Sequence, residues 1–171
     1  MKLPPWREEA LAKHHDRRAF DCGDAELNEY LRRYARQNHE SGGAKTFLAM
    51  AEKDILGFYN LSPASVAYAH TPEVLKRGLG RYELPVFRLS RLAVDLRVQS
   101  QGLGGQLLLA AGRRCCRVAA EVGGVALFID AKNQNVAGWY ERHGAFPLLD
   151  QPLSLLLPLA AIDAALRGLD R

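Results

Sequence analysis

Apolar and polar positions change period several times along the chain, and each change marks an element. Val86-Phe-Arg-Leu-Ser-Arg-Leu-Ala-Val-Asp95 alternates and is rich in apolar and β-branched residues, the pattern of a buried strand. Leu96 to Gly105 is a polar loop that ends in glycines. Leu107, Leu108, Ala111, Cys115, Val118, Ala119 and Val122 then recur at helical spacing. Upstream, Thr46–Ala51 and Ile55–Leu61 read as two strands of a hairpin across a Lys53-Asp54 turn. Downstream, the near-continuous apolar run Gly124–Asp130 predicts a central parallel strand. A short helix over Asn133–Arg142 follows, closed by Gly144. Strands beginning at Ala145-Phe146 and spanning Leu153–Pro158 come next, then a closing amphipathic helix over Ala160–Leu166.

The N-terminal third carries one clear helix. Asp24 stands where an N-cap is needed, and Ser41-Gly-Gly43 stops the helix. Leu27, Tyr30, Leu31, Tyr34, Ala35 and Asn38 share one predicted face, and Glu29, Arg32, Arg33 and Arg36 the other. Before it, Trp6 to Phe20 is polar and basic, a short strand or an arm, with His14 and His15 expected to be solvated rather than to hold a metal. Ser62 to Pro85 is less regular: Thr71-Pro72 begins a short helix through Leu79, broken by Gly78 and Gly80. No repeat, low-complexity tract or linker interrupts residues 1–171, which read as one domain.

Composition narrows the class. The 171 residues are 48% hydrophobic and 25% charged, ordinary for a globular domain with a sizeable core. A net charge of +4 permits an anionic partner, coenzyme or RNA, without demanding one. The cysteines are Cys22, Cys115 and Cys116; an odd count with two adjacent on a predicted helix is no disulfide framework and points to a reducing cytoplasm. Met1-Lys-Leu-Pro-Pro-Trp6 lacks a signal core, and no apolar run is long enough to span a bilayer, so no membrane role is expected.

A strand, a glycine-rich loop and a helix in succession aim backbone N–H groups and a helix N-terminus at one point, which suits a phosphate. Gly102, Gly104 and Gly105 lack a Cβ and allow close approach. The residues alone leave the loop open between a phosphate cradle and a tight turn whose glycines serve packing. No Lys-Ser/Thr follows to make a Walker loop, and the spacing does not fit a dinucleotide fingerprint.

Gln99-x-x-Gly102-x-Gly104 behind such a strand resembles the acetyl-coenzyme A pyrophosphate loop of the GNAT acetyltransferase superfamily, and the element order matches that superfamily over roughly Phe20 to Pro158. Further segments resemble one branch of it: Phe20-Asp-Cys-Gly-Asp-Ala-Glu-Leu-Asn-Glu-Tyr-Leu31, Gln37-Asn38, Thr46-Phe47, Gly57-Phe-Tyr-x-Leu61, Arg91-Leu-Ala-Val-Asp95 and Gly138-Trp-Tyr140-x-x-x-Gly144. These look like the GNAT toxins of bacterial type II toxin–antitoxin pairs, which acetylate the α-amine of aminoacyl-tRNA. The resemblance implies an α/β (α+β) fold with a mixed, mostly antiparallel sheet, splayed central strands and flanking helices. It also implies acetyl-CoA as cosubstrate, no metal, a ribbon-helix-helix antitoxin, a homodimer and a cytoplasmic location.

By position, the resemblance gives coenzyme contacts to Leu92, Ala93, Val94, Gln99, Gly102, Leu103, Gly104, Gly105, Gln106 and Asn133. Tyr140 is the catalytic residue, a phenol facing the sulfur and able to donate a proton to the departing thiolate. Arg32, Arg33, Arg36, Arg77, Arg81 and Arg91 are the expected tRNA contacts. Gln99 stands where many relatives carry Arg, and a basic residue near Gly105 is missing. Val86 to Asp95 holds no Glu to serve as a base; Glu83, Asp95 and water are the candidates. An α-amine, with a reference pKa of about 7.7–8.0 against about 10.4 for lysine, needs little help from a base. Cys115 and Cys116 read as structural thiols and His143 as a surface histidine.

Overall fold

A computed structural model describes residues 2–76 and 83–169. The elements run β1 (Arg7–Ala10), α1 (Ala25–Glu29), a π-helical turn (Tyr30–Tyr34), α2 (Ala35–Ser41), β2 (Lys45–Ala51), β3 (Asp54–Val66), β4 (Leu84–Val94), α3 (Leu103–Val122), β5 (Ala126–Asp130), α4 (Gln134–Arg142), β6 (Phe146–Leu148), β7 (Gln151–Pro158) and α5 (Leu159–Leu169). Seven strands form a sheet in the order β1-β2-β3-β4-β5-β7-β6. Among the described pairings β4–β5 is parallel and the rest are antiparallel. The parallel register stops at Leu89↔Ile129 although β4 continues to Val94, the register expected of splayed central strands. This is the mixed, mostly antiparallel α/β architecture expected from the sequence.

The chain packs as two compact units. The first comprises Met1–Ser62 and Ser90–Ala111. Its core gathers Leu11, Phe20, Leu31, Leu48, Phe58 and Ala93, among others. Gly57 on β3 is required by close approach: a Cβ there would lie 2.8 Å from the Ala93 carbonyl oxygen and 2.9 Å from Leu107 Cδ1. Asp24 caps α1, its carboxylate accepting from the N–H groups of Glu26 and Leu27. Gly42, left-handed at φ 84°, ends α2.

The first helix corrects the expected face. Tyr34 is 52% exposed rather than buried. The Ala35 N–H bonds to the Tyr30 carbonyl, a five-residue reach that inserts one extra residue into the turn. Ala35 takes the buried position and Tyr34 rotates outward. A second correction concerns the histidines. His15 is 6% exposed; its Nδ1 accepts the Ala12 N–H at 3.0 Å, so Nε2 carries the proton and donates to Glu9 at 3.1 Å. Glu9, His14 and His15 lie close enough to suggest a metal cluster, yet both nitrogens of His15 are engaged and the group reads as a structural tie.

The second unit comprises Pro63–Leu89 and Gly112–Arg171. Val66, Val86, Ala126, Phe128, Leu148 and Leu156 form its core with Leu84. Gly112 admits Ile162, whose Cγ2 would lie 2.6 Å from a Cβ at that position. Three expectations change here. Val118 and Val122 are 42% and 76% exposed: helical spacing marks a face but not how far along it cover extends. The stretch from Ser62 is not irregular at its start, because β3 runs on to Val66, and β4 already begins at Leu84. The helix expected from Thr71 is, among the described residues, a single 3₁₀ turn at Glu73–Leu75. Gly78, Leu79 and Gly80 lie outside the described residues. Among the described residues no helix is long and apolar enough to cross a membrane.

Candidate active site

In the first unit the glycine loop is built from the end of β4. Asp95 caps a 3₁₀ turn over Leu96–Val98. Ser100 and Gly102 then adopt positive φ, 63° and 88°, and steer the chain into the N-terminus of the 20-residue α3. Gly102 has open space where a side chain would stand, and its carbonyl accepts the Gln106 N–H at 3.2 Å. The first-turn N–H groups of a helix lack intrahelical partners and carry its positive dipole end. Leu103 is 1% exposed, so only its main chain can serve a ligand; Gly104 and Gly105 are half-buried beside it.

The side chains of Gln99 and Gln106 are already engaged. Gln99 Nε2 donates to the Cys22 and Val94 carbonyls at 3.0 and 2.9 Å, and Gln106 Oε1 accepts the Trp6 indole N–H at 2.7 Å. Both are expected coenzyme contacts, and in this structure their side chains bond other parts of the protein and hold the loop. Asp95 is 2% exposed, with one carboxylate oxygen accepting the main-chain and Nε hydrogens of Arg97 and the other accepting from Asp21 N and Arg97 Nη2. Burial pushes its pKa up and these hydrogen bonds more than reverse it, so the carboxyl lies below its usual value and is no base. Among the described residues the Gln101 side-chain oxygen is buried without a partner. On β4, the Ala93 carbonyl faces Gly57 and Val94 receives Gln99; Leu92 is half-buried.

In the second unit, Tyr140 on α4 is 6% exposed and burial pushes its phenol up to about 12. Its hydroxyl has no hydrogen-bond partner among the described residues, and its ring meets Trp139 edge-on at 4.9 Å. Asn133 serves α4 as N-cap, its Oδ1 accepting the Val136 N–H at 3.0 Å. His143 is exposed, bonded to the Trp139 carbonyl and stacked on that indole at 4.2 Å. Glu83 is tied to Ser65. Cys115 is buried, which pushes its thiol up to about 12, the setting of a structural thiol.

The arginines of the first helix line a groove in the first unit. A cavity of about 370 Å³ is bounded by Arg17, Arg32, Arg33 and Arg36, with Glu40 its only carboxylate. A second, of about 410 Å³, shares Arg17 and Arg32 and adds Lys13, His14, His15 and the Asp16–Arg18 ion pair. Arg17 and Arg32 are fixed by main-chain carbonyls, of Leu31 and Phe20, each at 2.8 Å. Burial, then repulsion from Arg36, lowers the Arg17 pKa. Arg33 and Arg36 have looser partners, Glu29 at 3.5 Å and Glu40 at 3.6 Å. The sequence showed the basic run from Lys13 to Arg18, but only the fold brings it beside the helix. Arg91, an expected tRNA contact, sits over the Tyr30 ring at 3.6 Å. Arg77 and Arg81 lie outside the described residues.

Comparison with known proteins adds the following. The model of the acetyltransferase (GNAT) family matches residues 8–145. The chain is 35% identical over 139 residues, 81% of its length and 83% of the relative's, to a tRNA-acetylating toxin of Mycobacterium tuberculosis. It is 28% identical over 159 residues, 86% of its length and 87% of the relative's, to the probable toxin TacT of Sinorhizobium fredii. Among solved structures it resembles AtaT complexed with acetyl-methionyl-tRNAfMet, with TM-score 0.87 and 25% identity over 95% of this chain and 99% of that one. A Tyr-to-Phe mutant of KacT gives TM-score 0.86 and 26% identity over 94% and 98%.

Proposed function

The chain belongs to the acetyltransferase (GNAT) family, and we propose that it moves the acetyl group of acetyl-coenzyme A to the α-amine of an aminoacyl-tRNA, blocking translation as a toxin. The observation that carries this reading is the groove lined by Arg17, Arg32, Arg33 and Arg36, whose carboxylate partners are Glu29 on Arg33 and Glu40 on Arg36. Four guanidinium groups against two carboxylates suit a polyanion rather than a small amine. The relatives point the same way: one is a tRNA-acetylating toxin, and AtaT is solved with acetyl-methionyl-tRNAfMet.

The glycine loop suits the coenzyme's phosphates by its open Gly102 and its helix N-terminus. The backbone N–H groups of Leu103, Gly104 and Gly105 hold the pyrophosphate, with no nearby side-chain charge needed. The unpartnered Gln101 oxygen is an acceptor suited to an amide N–H of the pantetheine arm. Leu92 to Val94 orient that arm, and Asn133 contributes as the cap of α4. The coenzyme supplies an activated thioester whose carbon the amine attacks. Tyr140, kept protonated by burial, donates a hydrogen bond to the developing thiolate. With Asp95 engaged, the amine enters already neutral, as its reference pKa of about 7.7–8.0 allows near pH 7.5.

In this reading both compact units form one domain, which works in the cytoplasm as a homodimer and is held by a ribbon-helix-helix antitoxin. One solved relative supports the antitoxin: AtaT is known bound to the C-terminus of AtaR. Incubation with labelled acetyl-coenzyme A tests the substrate. Charged tRNA should take up label, uncharged tRNA should not, and added salt should slow the reaction. Label on polyamines or peptides, and on no aminoacyl-tRNA, makes the protein an ordinary amine acetyltransferase.

A further inference from the structure

The first unit holds the glycine loop against a second turn far away in the sequence. That turn is Asp21-Cys-Gly-Asp24, whose last residue caps α1. Four contacts join them. The Asp95 carboxylate accepts the Asp21 N–H at 3.1 Å, across 74 residues. The Leu96 N–H donates back to the Asp21 carbonyl at 2.8 Å. Gln99 Nε2 donates to the Cys22 carbonyl at 3.0 Å and to Val94 at 2.9 Å. Gly23, at φ 87°, lets Leu96 come within 3.3 Å of where its Cβ would be.

The turn is itself held by one buried amide. Asn28, 8% exposed, donates from Nδ2 to the Asp21 carboxylate at 2.9 Å and accepts the Cys22 N–H on Oδ1 at the same distance. The Asp21 carboxylate also accepts the Gly23 N–H at 2.8 Å. Hydrogen bonds from Gly23 and Asn28 hold its pKa below the usual value, against burial and the nearby Asp95 charge. Every polar group named here faces either the loop or another member of the turn.

We infer that the Asp21–Asp24 turn, fixed by Asn28 and joined through Gln99, positions the main chain of the glycine loop for the coenzyme's pyrophosphate. Gln99 and Asn28 are positioning residues: neither side chain has an amide group left to reach a phosphate, because both ends of Asn28 and the donor end of Gln99 are engaged. A loop that binds through N–H groups depends on their direction, and beside the local bond from Gln99 to Val94 the ties that set it come from Asp21 and Cys22. The inference rests on the coenzyme reading of the loop, and the experiment separates the two.

Acetyl-coenzyme A affinity is measured by calorimetry for wild type, Gln99→Ala, Asn28→Ala, Gln99→Arg and Gly102→Val. KM is then compared for acetyl-coenzyme A and for S-acetylpantetheine, which keeps the thioester arm and lacks the pyrophosphate. Gln99→Ala and Asn28→Ala should each weaken acetyl-coenzyme A by about tenfold, the scale of two lost hydrogen bonds. They should leave kcat and the S-acetylpantetheine KM close to wild type. Gln99→Arg, which keeps two N–H donors, should restore most of the affinity. Gln99→Ala changes an exposed side chain and keeps the inference testable if Asn28→Ala does not fold. Equal losses for both donors, or an unchanged acetyl-coenzyme A affinity in folded Gln99→Ala, overturn the positioning role. If Gly102→Val also binds as wild type, the coenzyme reading of the loop fails first.

Discussion

The glycine loop and the arginine groove belong to the same compact unit and suit anions in opposite ways. In the loop, Asp95, Gln99 and Gln106 spend their side chains on the protein itself. What is left for a ligand is main chain: N–H groups at a helix start and the bare Cα of Gly102. In the groove the roles are reversed. Main-chain carbonyls of Leu31 and Phe20 hold Arg17 and Arg32, and the two side chains line the cavities. A main-chain site fixes geometry and tolerates most side-chain changes. A guanidinium site supplies charge and tolerates many shapes. The first suits one small ligand that must be placed accurately, the second a long polyanion that must be attracted and allowed to leave.

The comparison can be broken at several points. The largest effect should come from Tyr140→Phe, which keeps the ring and removes the donor. Turnover should fall about 10²–10⁴-fold with coenzyme affinity nearly unchanged. Near-normal turnover, where chemistry limits the rate, would make Tyr140 a packing residue of α4. Next, Gly102→Val puts a β-branched side chain at positive φ and into the space left for phosphate. A loss of about 100-fold in coenzyme affinity is expected, ~3 kcal/mol of strain and obstruction. Titration calorimetry on a variant with wild-type circular dichroism reads it directly.

Charge reversal at Arg17 or Arg32 should do the opposite, raising KM for charged tRNA about tenfold and leaving coenzyme affinity alone. The slope of log KM against log salt should fall by about one per arginine removed. A loss that does not depend on salt would mean these side chains matter as carbonyl ties, not as charges. The smallest effect concerns acid. The Asp21 and Asp95 carboxyls both lie below their usual value in the folded protein. Their contribution to stability is therefore fully present above the unfolded carboxylate pKa of about 3.9 and is lost as pH falls through the lowered values. Melting temperatures followed downward from neutral pH should stay level to about pH 4 and then drop. Asp95→Asn should flatten that drop while leaving the groove's salt response intact.

The strand, loop and helix around Gly102 were legible because each has a period or a residue type of its own. The same held for the Asp24 cap and the parallel strand that became β5. Tyr34 was misplaced because spacing arithmetic assumes an uninterrupted α-helix, and one extra residue at Tyr30–Tyr34 shifts every later position. His15 looked like part of a solvated pair; its burial depends on a bond to its own loop at Ala12, which composition does not record. Gln99 and Gln106 were assigned to the coenzyme from their place in a motif. Their side chains also bond Cys22 and Trp6, 77 and 100 residues away, with Val94 close by for Gln99, and no local pattern carries the two long contacts.

One extra residue in an ordinary α-helix turns everything beyond it by roughly 100°. In the first helix the five-residue turn at Tyr30–Tyr34 takes up that residue, and Ala35 comes back to the buried face. A deletion of one residue within the turn would close it to ordinary α-helix and leave Ala35, Arg36 and the residues beyond them facing as they do. Among chains of this kind, a one-residue gap in this helix is therefore a local change: it alters what stands between Tyr30 and Ala35 and keeps the later cations where they are.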